Sequence, residues 1–263
     1  MSQGSSTIAA PRGRLFLVPA PLDFGCTETT DIRDSLPDHT LRIAASLKHW
    51  VCENARSTRA CLKRIGQVHP LTDAIQAITI TELPRAVHKQ GDHRPGGGFD
   101  ARPLLSAALA GQDIGLMSEA GMPAIADPGG SVVRAAHALG LEVIALVGPI
   151  SLMLALAASG LNGQNFAFVG YLPQEPGSRL KRLRELESLA RRTGQTQVFI
   201  ETPYRNGALM QAALDALQAT TRLAVSQGLT LPSGRTRSRT VTEWRTSPDR
   251  PGNDQPAVFA IGP

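Results

Sequence analysis

The sequence predicts an α/β protein of two lobes with a cleft between them, where such sheets bind ligands. Short β-rich runs alternate with helical segments through the first 150 residues, a pattern typical of a largely parallel sheet. The second half repeats this alternation less regularly, and the halves part near Gly148-Pro149. A chain of 263 residues with 42% apolar and 19% charged residues fits one or two globular domains and excludes wholesale disorder. We expect a disordered tail over residues 1–13, an N-terminal α/β domain over 14–149 with a mostly parallel sheet, and a C-terminal α/β domain over 150–263 with a mixed sheet.

The first domain begins with the apolar run Arg14–Val18, a strand that must end at the Pro-Ala-Pro turn after it, because proline cannot continue a central strand. His39–Ser46 and Trp50–Cys52 are weaker strand candidates. Ala55–Ile65 is helical in pattern, with Gly66 as its stop. The other expected elements of this domain are a strand at Ala77–Leu83, a loop at Lys89–Asp100, a helix at Pro103–Ala110, a strand at Asp113–Met117, a helix at Gly130–Leu139 and a strand at Glu142–Val147.

The longest uncharged run, Val143–Leu161, has 19 residues, which is about the length of a membrane helix. Gly148-Pro149 interrupts it, so we predict a buried strand followed by a buried helix, Ser151–Ser159, that closes at Gly160. The first 13 residues lack the apolar segment of a secretory signal. We therefore expect no membrane association.

The second domain is expected to begin with that helix. Arg179–Arg192 has leucines at near-helical spacing and predicts an amphipathic helix. The other expected elements are strands at Phe166–Val169, Gln197–Ile200, Arg222–Val225 and Ala257–Ile261, a helix at Asn206–Gln218 and a loop at Pro232–Arg239.

Composition excludes several classes of protein. The three cysteines, Cys26, Cys52 and Cys61, are too few and too scattered for a disulfide scaffold, so we expect a cytoplasmic protein. No cysteine and histidine spacing is typical of a metal site, and none is expected. The common signatures of dinucleotide binding, phosphate-binding loops, zinc proteases and serine hydrolases are missing. The formal charge of +5 permits a polyanionic partner without requiring one.

The strongest local feature is Leu116–Gly130, LMSEAGMPAIADPGG. A predicted strand ends here in a turn of small residues, and a second turn leads into a helix. Such a turn exposes backbone N–H and C=O groups and lets a ligand approach closely. From composition alone, a plain connection between strand and helix is an equally good interpretation.

This segment resembles the S-D-A-G-T-P-x-I-x-D-P-G signature of the tetrapyrrole methylase superfamily. Further motifs resemble that family's in the same order and extend the resemblance over about residues 14–262. They are the opening strand and turn at Leu15–Pro21, CENAR at Cys52–Arg56 for A-E-D-T-R, the L-P-G-P-like stretch at Leu146–Leu161, FAFVGYLP at Phe166–Pro173 and FIETPYR at Phe199–Arg205. The resemblance is closest to the branch of 16S rRNA 2'-O-ribose methyltransferases.

The resemblance implies a methyltransferase with S-adenosylmethionine (AdoMet) as cofactor, rRNA or the small ribosomal subunit as partner, and a homodimer. For Met122 and Ile125 the alternative is simple core filling. The residues that the resemblance places against the cofactor are Pro19, Ala20, Pro21, Ser118, Glu119, Ala120, Gly121, Met122, Ile125, Ile150, Ser151, Ile200, Glu201, Ala224 and Ala257.

The candidate catalytic residues on the acceptor side are Glu53 and Arg56, with Glu201 as a third ionisable group to test. Glu53 follows a predicted strand and would accept a proton from a hydroxyl if burial raised its pKa. The favoured alternative is an ion pair between Glu53 and Arg56 or Arg59. Arg205 is interpreted equally well as a phosphate ligand or as an anchor for its own loop.

Two arginine-rich stretches suit contact with nucleic-acid phosphates. The helix Arg179–Arg192 also carries Glu185 and Glu187 and is more typical of a solvated face. The predicted loop at Pro232–Arg239 is less diluted by acidic residues, and its arginines alternate as on one face of a strand. We therefore assign nucleic-acid contact to Arg205, Arg235, Arg237 and Arg239.

The sequence departs from the family pattern mainly on the acceptor side. Leu22–Cys26 stands where the family has G-N-L-x-D, and Asp254–Pro256 stands where it has K-G-E. These losses keep two alternatives open beside rRNA ribose methylation. One is methylation of a tetrapyrrole or another small molecule, and the other is a divergent, non-catalytic AdoMet-binding module.

Overall fold

The structure, a computed structural model, describes residues 11–23, 25–84, 87 and 99–263. These residues form two compact units, which we describe separately. The first unit contains the described residues up to Asp23 and from Asp31 to Pro149, and the second contains Gly25–Thr30 and Ile150–Pro263. The short segment Gly25–Thr30 therefore differs from the contiguous division expected from sequence. Its Glu28 carboxylate accepts hydrogen bonds from the hydroxyl (2.6 Å) and the backbone N–H (3.3 Å) of Ser233.

The first unit is a five-stranded parallel sheet in the order β3-β2-β4-β1-β5. Its strands are β1 (Leu15–Leu17), β2 (His49–Cys52), β3 (Thr79–Glu82), β4 (Ile114–Met117) and β5 (Val143–Ala145). Its helices are α1 (Asp38–Ser46), α2 (Ala55–Val68), α3 (Ser106–Leu109, preceded by a 3-10 turn at Arg102–Leu105) and α4 (Gly130–Ala138). A second 3-10 turn lies at Ile32–Asp34.

Side chains of the parallel strands alternate between two apolar layers, as the period of a strand requires. Phe16 and Trp50 pack into the layer that contains α1 and α2, whereas Leu15 and Val51 pack into the layer that contains α3 and α4. Gly115 allows this packing, because a Cβ atom there would lie 2.5 Å from the Trp50 ring.

The second unit is a mixed five-stranded sheet in the order β6-β7-β10-β8-β9, in which only the β6–β7 pair is parallel. Its strands are β6 (Phe166–Tyr171), β7 (Thr196–Glu201), β8 (Arg222–Gln227), β9 (Arg235–Thr240) and β10 (Ala257–Gly262). Its helices are α5 (Ser151–Ser159), α6 (Pro176–Thr193), α7 (Asn206–Ala216, preceded by a 3-10 turn at Pro203–Arg205) and α8 (Val241–Thr246). Phe199 and Phe259 stack at the centre of its core, with ring centroids 5.8 Å apart. The predicted fold class, with one parallel and one mixed sheet, is thus confirmed.

Two predicted elements of the first unit are wrong. His39–Ser46 is not a strand but most of α1, because Leu41, Ala44 and Ala45 recur at helical spacing and are buried together. Gly66 does not end α2, which continues to Val68, since the flanking Ile65 and Val68 hold its last turn against the core.

The predicted loop at Pro232–Arg239 is also wrong from Arg235 onward. This stretch is the edge strand β9, paired antiparallel with β8 in unbroken register. Cross-strand contacts such as that between the Ser226 and Thr236 hydroxyls, 2.8 Å apart, stabilise it despite its polar sequence. The alternation of its arginines was the correct signal.

Two further expectations fall at the limits of the described residues. Of the predicted loop Lys89–Asp100, residues 89–98 lie outside them. Of the predicted tail 1–13, the first ten residues also lie outside them, but residues 11–13 are not a tail. The Gly13 N–H donates to the Ala108 carbonyl at 2.8 Å, and Arg12 donates to the Leu139 carbonyl.

The uncharged run at Val143–Leu161 divides into β5 and α5, as predicted. Among the described residues, none of the helices has the length and hydropathy that crossing a bilayer requires.

Candidate functional site

The carboxyl ends of three neighbouring parallel strands form the candidate site of the first unit. The turn at Pro19–Pro21 follows β1, Glu53 follows β2, and the turn at 118–122 follows β4. Ala20 and Gly121 exchange two backbone hydrogen bonds of 2.9 Å, which joins two of these turns. The Glu53 carboxylate accepts the Glu119 N–H at 3.2 Å, which joins the third. The structure thus brings together the residues that the sequence placed here, at the edge where open α/β sheets bind ligands.

Backbone strain is concentrated in the loop between β4 and α4. Ala124 and Ala126 adopt φ angles of 66° and 64°, a left-handed conformation that is unfavourable for residues with a Cβ atom. Gly121, with φ of 70°, adopts the same conformation without that penalty. Strain of this kind clusters at ligand-binding turns, so the conformation favours a binding turn over a plain connection.

Asp127, in the same loop, is a candidate that sequence analysis did not single out. Burial raises the pKa of its carboxyl to about 7, and the charges of Glu53 and Glu119 also raise it, whereas a hydrogen bond with Ser118 lowers it. The D-P-G of the motif was the available signal, but the proximity of these carboxylates is visible only in the fold. A carboxyl that titrates near neutrality is typical of functional sites.

The candidate catalytic residues Glu53 and Arg56 lie at the junction of β2 and α2. Neither has an ion-pair partner within the described residues. The alternative of an ion pair between Glu53 and Arg56 or Arg59 is therefore not observed there. The Asn54 side chain caps α2 by accepting the Arg56 N–H at 2.8 Å, and the Arg56 side chain is exposed.

The turn after β1 is held rigidly by the segment that follows β5. Gly148 lies so close to Pro19 that an added Cβ atom would be 2.2 Å from the proline Cγ. The Thr40 hydroxyl donates to the Val147 carbonyl at 2.8 Å and fixes the same segment. Among the predicted cofactor contacts, Met122 is half-buried and Ile125 is 40% exposed, so Ile125 does not fill the core.

The predicted cofactor residues of the second unit lie around its sheet. Ile150, Ile200 and Ala224 belong to one apolar cluster beside α5. Ser151 is the first residue of α5, and no side chain of the described residues caps this helix N-terminus, so its first N–H groups suit an anionic group. Ala257, on β10, pairs in register with Glu201 of β7.

Glu201 and Arg205 form a buried ion pair. One Glu201 oxygen, Oε1, accepts hydrogen bonds from the Arg205 Nη2 (2.7 Å) and Nε (2.9 Å) and from the Thr202 N–H (2.8 Å). The other, Oε2, is buried with no partner among the described residues. This geometry favours the interpretation of Arg205 as an anchor of its loop over that as a phosphate ligand.

The arginines of β9 also have partners. Arg237 and Arg239 share the Asp249 carboxylate, at 3.0 and 3.3 Å, and Arg239 lies over the Trp244 ring. Arg235 is exposed and has no ion pair among the described residues. Of the four residues predicted to contact nucleic acid, Arg205, Arg237 and Arg239 are therefore paired with carboxylates within the unit.

Comparison with known proteins identifies the family. The model of the tetrapyrrole (corrin/porphyrin) methylases matches residues 42–244, well over half of the chain. The chain belongs to this family. Members of the family are AdoMet-dependent methyltransferases, as the resemblance predicted.

The matches to relatives of this tetrapyrrole methylase cover most of its chain. They include proteins named ribosomal RNA small subunit methyltransferase I from Mesorhizobium japonicum (32% identity over 87% of this chain and 72% of the relative), Vibrio cholerae (35%, 82% and 65%) and Pseudomonas aeruginosa (30%, 73% and 58%). The matches thus span between about three fifths and three quarters of the relatives' own length.

Two solved structures share the fold. They are the uroporphyrin-III-C-methyltransferase from Thermus thermophilus (17% identity, TM-score 0.50) and the methyltransferase CobJ (15% identity, TM-score 0.56). Each match covers 95% of this chain and 94% of the other. At this identity the matches show the two-lobed α/β fold alone.

The residues present fit AdoMet, whose sulfonium and amino groups are cationic. Glu53, Glu119 and Asp127 place three carboxyl groups at one strand edge of the first unit, an arrangement that favours a cation. No cluster of side chains suited to a metal ion occurs within the described residues.

Proposed function

We propose that this protein transfers a methyl group from AdoMet to RNA, at a ribose 2'-hydroxyl of small-subunit rRNA. The observation that carries the proposal is the match to proteins named ribosomal RNA small subunit methyltransferase I at 30–35% identity. The 2'-hydroxyl as acceptor rests on the resemblance of the motifs to that branch of the family.

Bound AdoMet supplies a methyl group already activated by its sulfonium, so positioning contributes most of the rate. The linked turns at Pro19–Pro21 and 118–122 have the rigidity that positioning needs, since Ala20 and Gly121 are bonded reciprocally. We assign to the nearby carboxylates the electrostatic attraction of the cationic cofactor.

A neutral hydroxyl must lose its proton at or after attack. This requires a general base whose pKa lies near the operating pH. We propose two candidates, the Glu53 carboxylate and the Asp127 carboxyl. The pKa of Asp127, raised to about 7, matches that task. Arg56, exposed at the start of α2, is assigned to orient the RNA.

The experiment uses labelled AdoMet and small ribosomal subunits from a strain deficient in this methylation. Wild-type protein is expected to label the rRNA. The phosphodiester bond that follows the modified ribose should then resist alkaline hydrolysis, because the methylated 2'-oxygen cannot attack it. Glu53→Gln or Asp127→Asn should lower kcat by at least about 100-fold if that residue takes the proton. The exposed Asp34→Asn variant is the matched control. Wild-type protein that leaves subunits unlabelled would refute the proposal.

A second candidate acceptor is a tetrapyrrole or another small molecule, which the family's own description favours. Labelling of such a molecule, with no labelling of RNA, would establish it. The alternative of a non-catalytic AdoMet-binding module predicts binding of AdoMet without turnover. Robust methyl transfer to any acceptor would refute this alternative.

The first measurement is calorimetric titration with AdoMet, with S-adenosylhomocysteine as the comparison ligand. Micromolar binding of both supports the assignment of the cofactor and justifies the acceptor experiments. A cytoplasmic location and a homodimer are further proposals that rest on the family resemblance. Fractionation of cells and light scattering of the purified protein test them.

A further inference from the structure

We infer that a basic groove on α6 of the second unit binds the sugar–phosphate backbone of the RNA substrate, an inference that rests on the proposed function. The groove is lined by four basic residues, two acidic residues and three others, namely Lys181, Arg184, Arg191, Arg192, Glu185, Glu187, Ser188, Ala216 and Gln218. From the sequence pattern alone, this helix is more typical of a solvated face, and β9 is the better candidate for RNA contact.

The cations of the groove lie on one stripe of the helix. Lys181, Arg184, Ser188 and Arg191 are spaced by three or four residues, and all are exposed. From Lys181 to Arg192 the stripe extends about 16 Å, at a rise of about 1.5 Å per residue. Phosphates of one strand follow each other at about 3.4 Å along a duplex axis, so the stripe faces several of them.

The part of the chain that the structure describes does not neutralise the charge of this stripe. Lys181, Arg184 and Arg192 have no ion pair with any carboxylate that the structure describes, and Arg191 donates to the neutral amide of Gln218. Glu185 pairs with Arg182 at 3.3 Å on the flank of the stripe.

The remaining acidic residue of the groove, Glu187, is also occupied. Its carboxylate is 4% exposed and accepts the Gln218 N–H at 2.7 Å and the Thr221 hydroxyl. The groove therefore presents a net positive surface. On β9, by contrast, Arg237 and Arg239 are held by Asp249.

The shape of the surface suits a backbone and not a base. Two adjoining depressions of about 550 and 470 Å³ share Arg184, Ser188 and Arg192, and the larger lies between α6 and the end of α7. Arginine donates two parallel hydrogen bonds to phosphate oxygens. No described residue that lines either depression is aromatic, so stacking on bases is not provided. We expect contacts that position the RNA without reading its sequence.

The test compares the triple variant K181Q/R184Q/R192Q with the control R33Q/R42Q/R102Q, which removes the same charge from exposed arginines of the first unit. Binding to a single-stranded oligouridylate and to small ribosomal subunits is measured as a function of KCl concentration. Loss of three phosphate contacts should lower the slope of log K against log salt by about 2, and the affinity at about 0.1 M salt by about 10- to 100-fold. A charge-preserving R184K/R192K variant should keep most of the slope.

The outcomes separate this inference from the proposed function. If the triple variant keeps the salt slope and the RNA affinity of the wild type, the inference about the groove is wrong, even where the wild-type protein methylates subunits. A slope lost only in the triple variant, with AdoMet affinity intact, supports the groove even if no methylation is found. A wild-type protein that binds no RNA overturns both.

Discussion

Replacing Asp127 by asparagine should stabilise the first unit at neutral and alkaline pH. The native carboxyl titrates at about 7, against a usual value of 3.8. Between these pH values the native state holds a proton that the unfolded state has released. Wild-type stability therefore falls as pH rises from about 4 to about 7, and it is level above that range.

The magnitude follows from that difference. At about 1.4 kcal/mol per pKa unit, the ionised carboxylate destabilises the fold by at most about 4 kcal/mol. Asp127 is only half-buried, so solvent screening reduces this to about 2 kcal/mol. The Asp127→Asn variant keeps the shape and loses the charge, so it should gain about 2 kcal/mol at about pH 8 and nothing below about pH 4.

Urea unfolding at a series of pH values measures this difference, with the exposed Asp34→Asn variant as the control. A stability difference between Asp127→Asn and wild type that does not change with pH would refute the reasoning. So would an Asp127→Asn variant that is less stable than wild type above neutrality. Bound AdoMet should reduce the benefit of the substitution, since a cation nearby favours the ionised form.

Three further predictions concern packing and charge. Gly148→Ala places a methyl group against Pro19 and should lower stability by about 1–3 kcal/mol, with weaker AdoMet binding, as thermal unfolding and calorimetry would show. Arg205→Ala leaves the Glu201 carboxylate buried without its partner and should lower the free energy of unfolding by about 3–5 kcal/mol, whereas a purely surface role predicts less than about 1 kcal/mol. Asp249→Asn releases the two arginines of β9 and should raise the salt slope of RNA binding by about 1, with AdoMet affinity unchanged.

The architecture was predictable because strands and helices alternate, and glycine and proline residues mark where many of them end. The segment between β5 and α5 shows this best, since Gly148-Pro149 alone distinguishes two short elements from one membrane-length helix. Helix α1 was missed because its short apolar run also suits a strand, although Leu41, Ala44 and Ala45 recur at helical spacing and pack together with Trp50 and α2.

The candidate site was predictable where it is local in sequence and not where it depends on distant pairs. The turn after β4 is a single stretch, and its small residues are visible directly. The pKa of Asp127 depends on Glu53, which arrives from another strand. Likewise, Asp249 neutralises arginines of β9 from outside that strand. Partners of this kind are set by the fold and not by the local sequence. For this reason the sequence favours β9 for RNA contact, whereas the structure favours α6.

The placement of Gly25–Thr30 has a consequence for the order of synthesis. Glu28 leaves the ribosome well before its partner Ser233, which lies 205 residues further along the chain. At about 5–20 residues per second, that interval is roughly 10–40 seconds. The segment Gly25–Thr30 thus emerges long before most of its own unit, and the hydrogen bonds of Glu28 form only after Ser233 has been synthesised. For this reason, a single cut after Pro149 leaves the first unit whole but separates Gly25–Thr30 from the rest of the second unit.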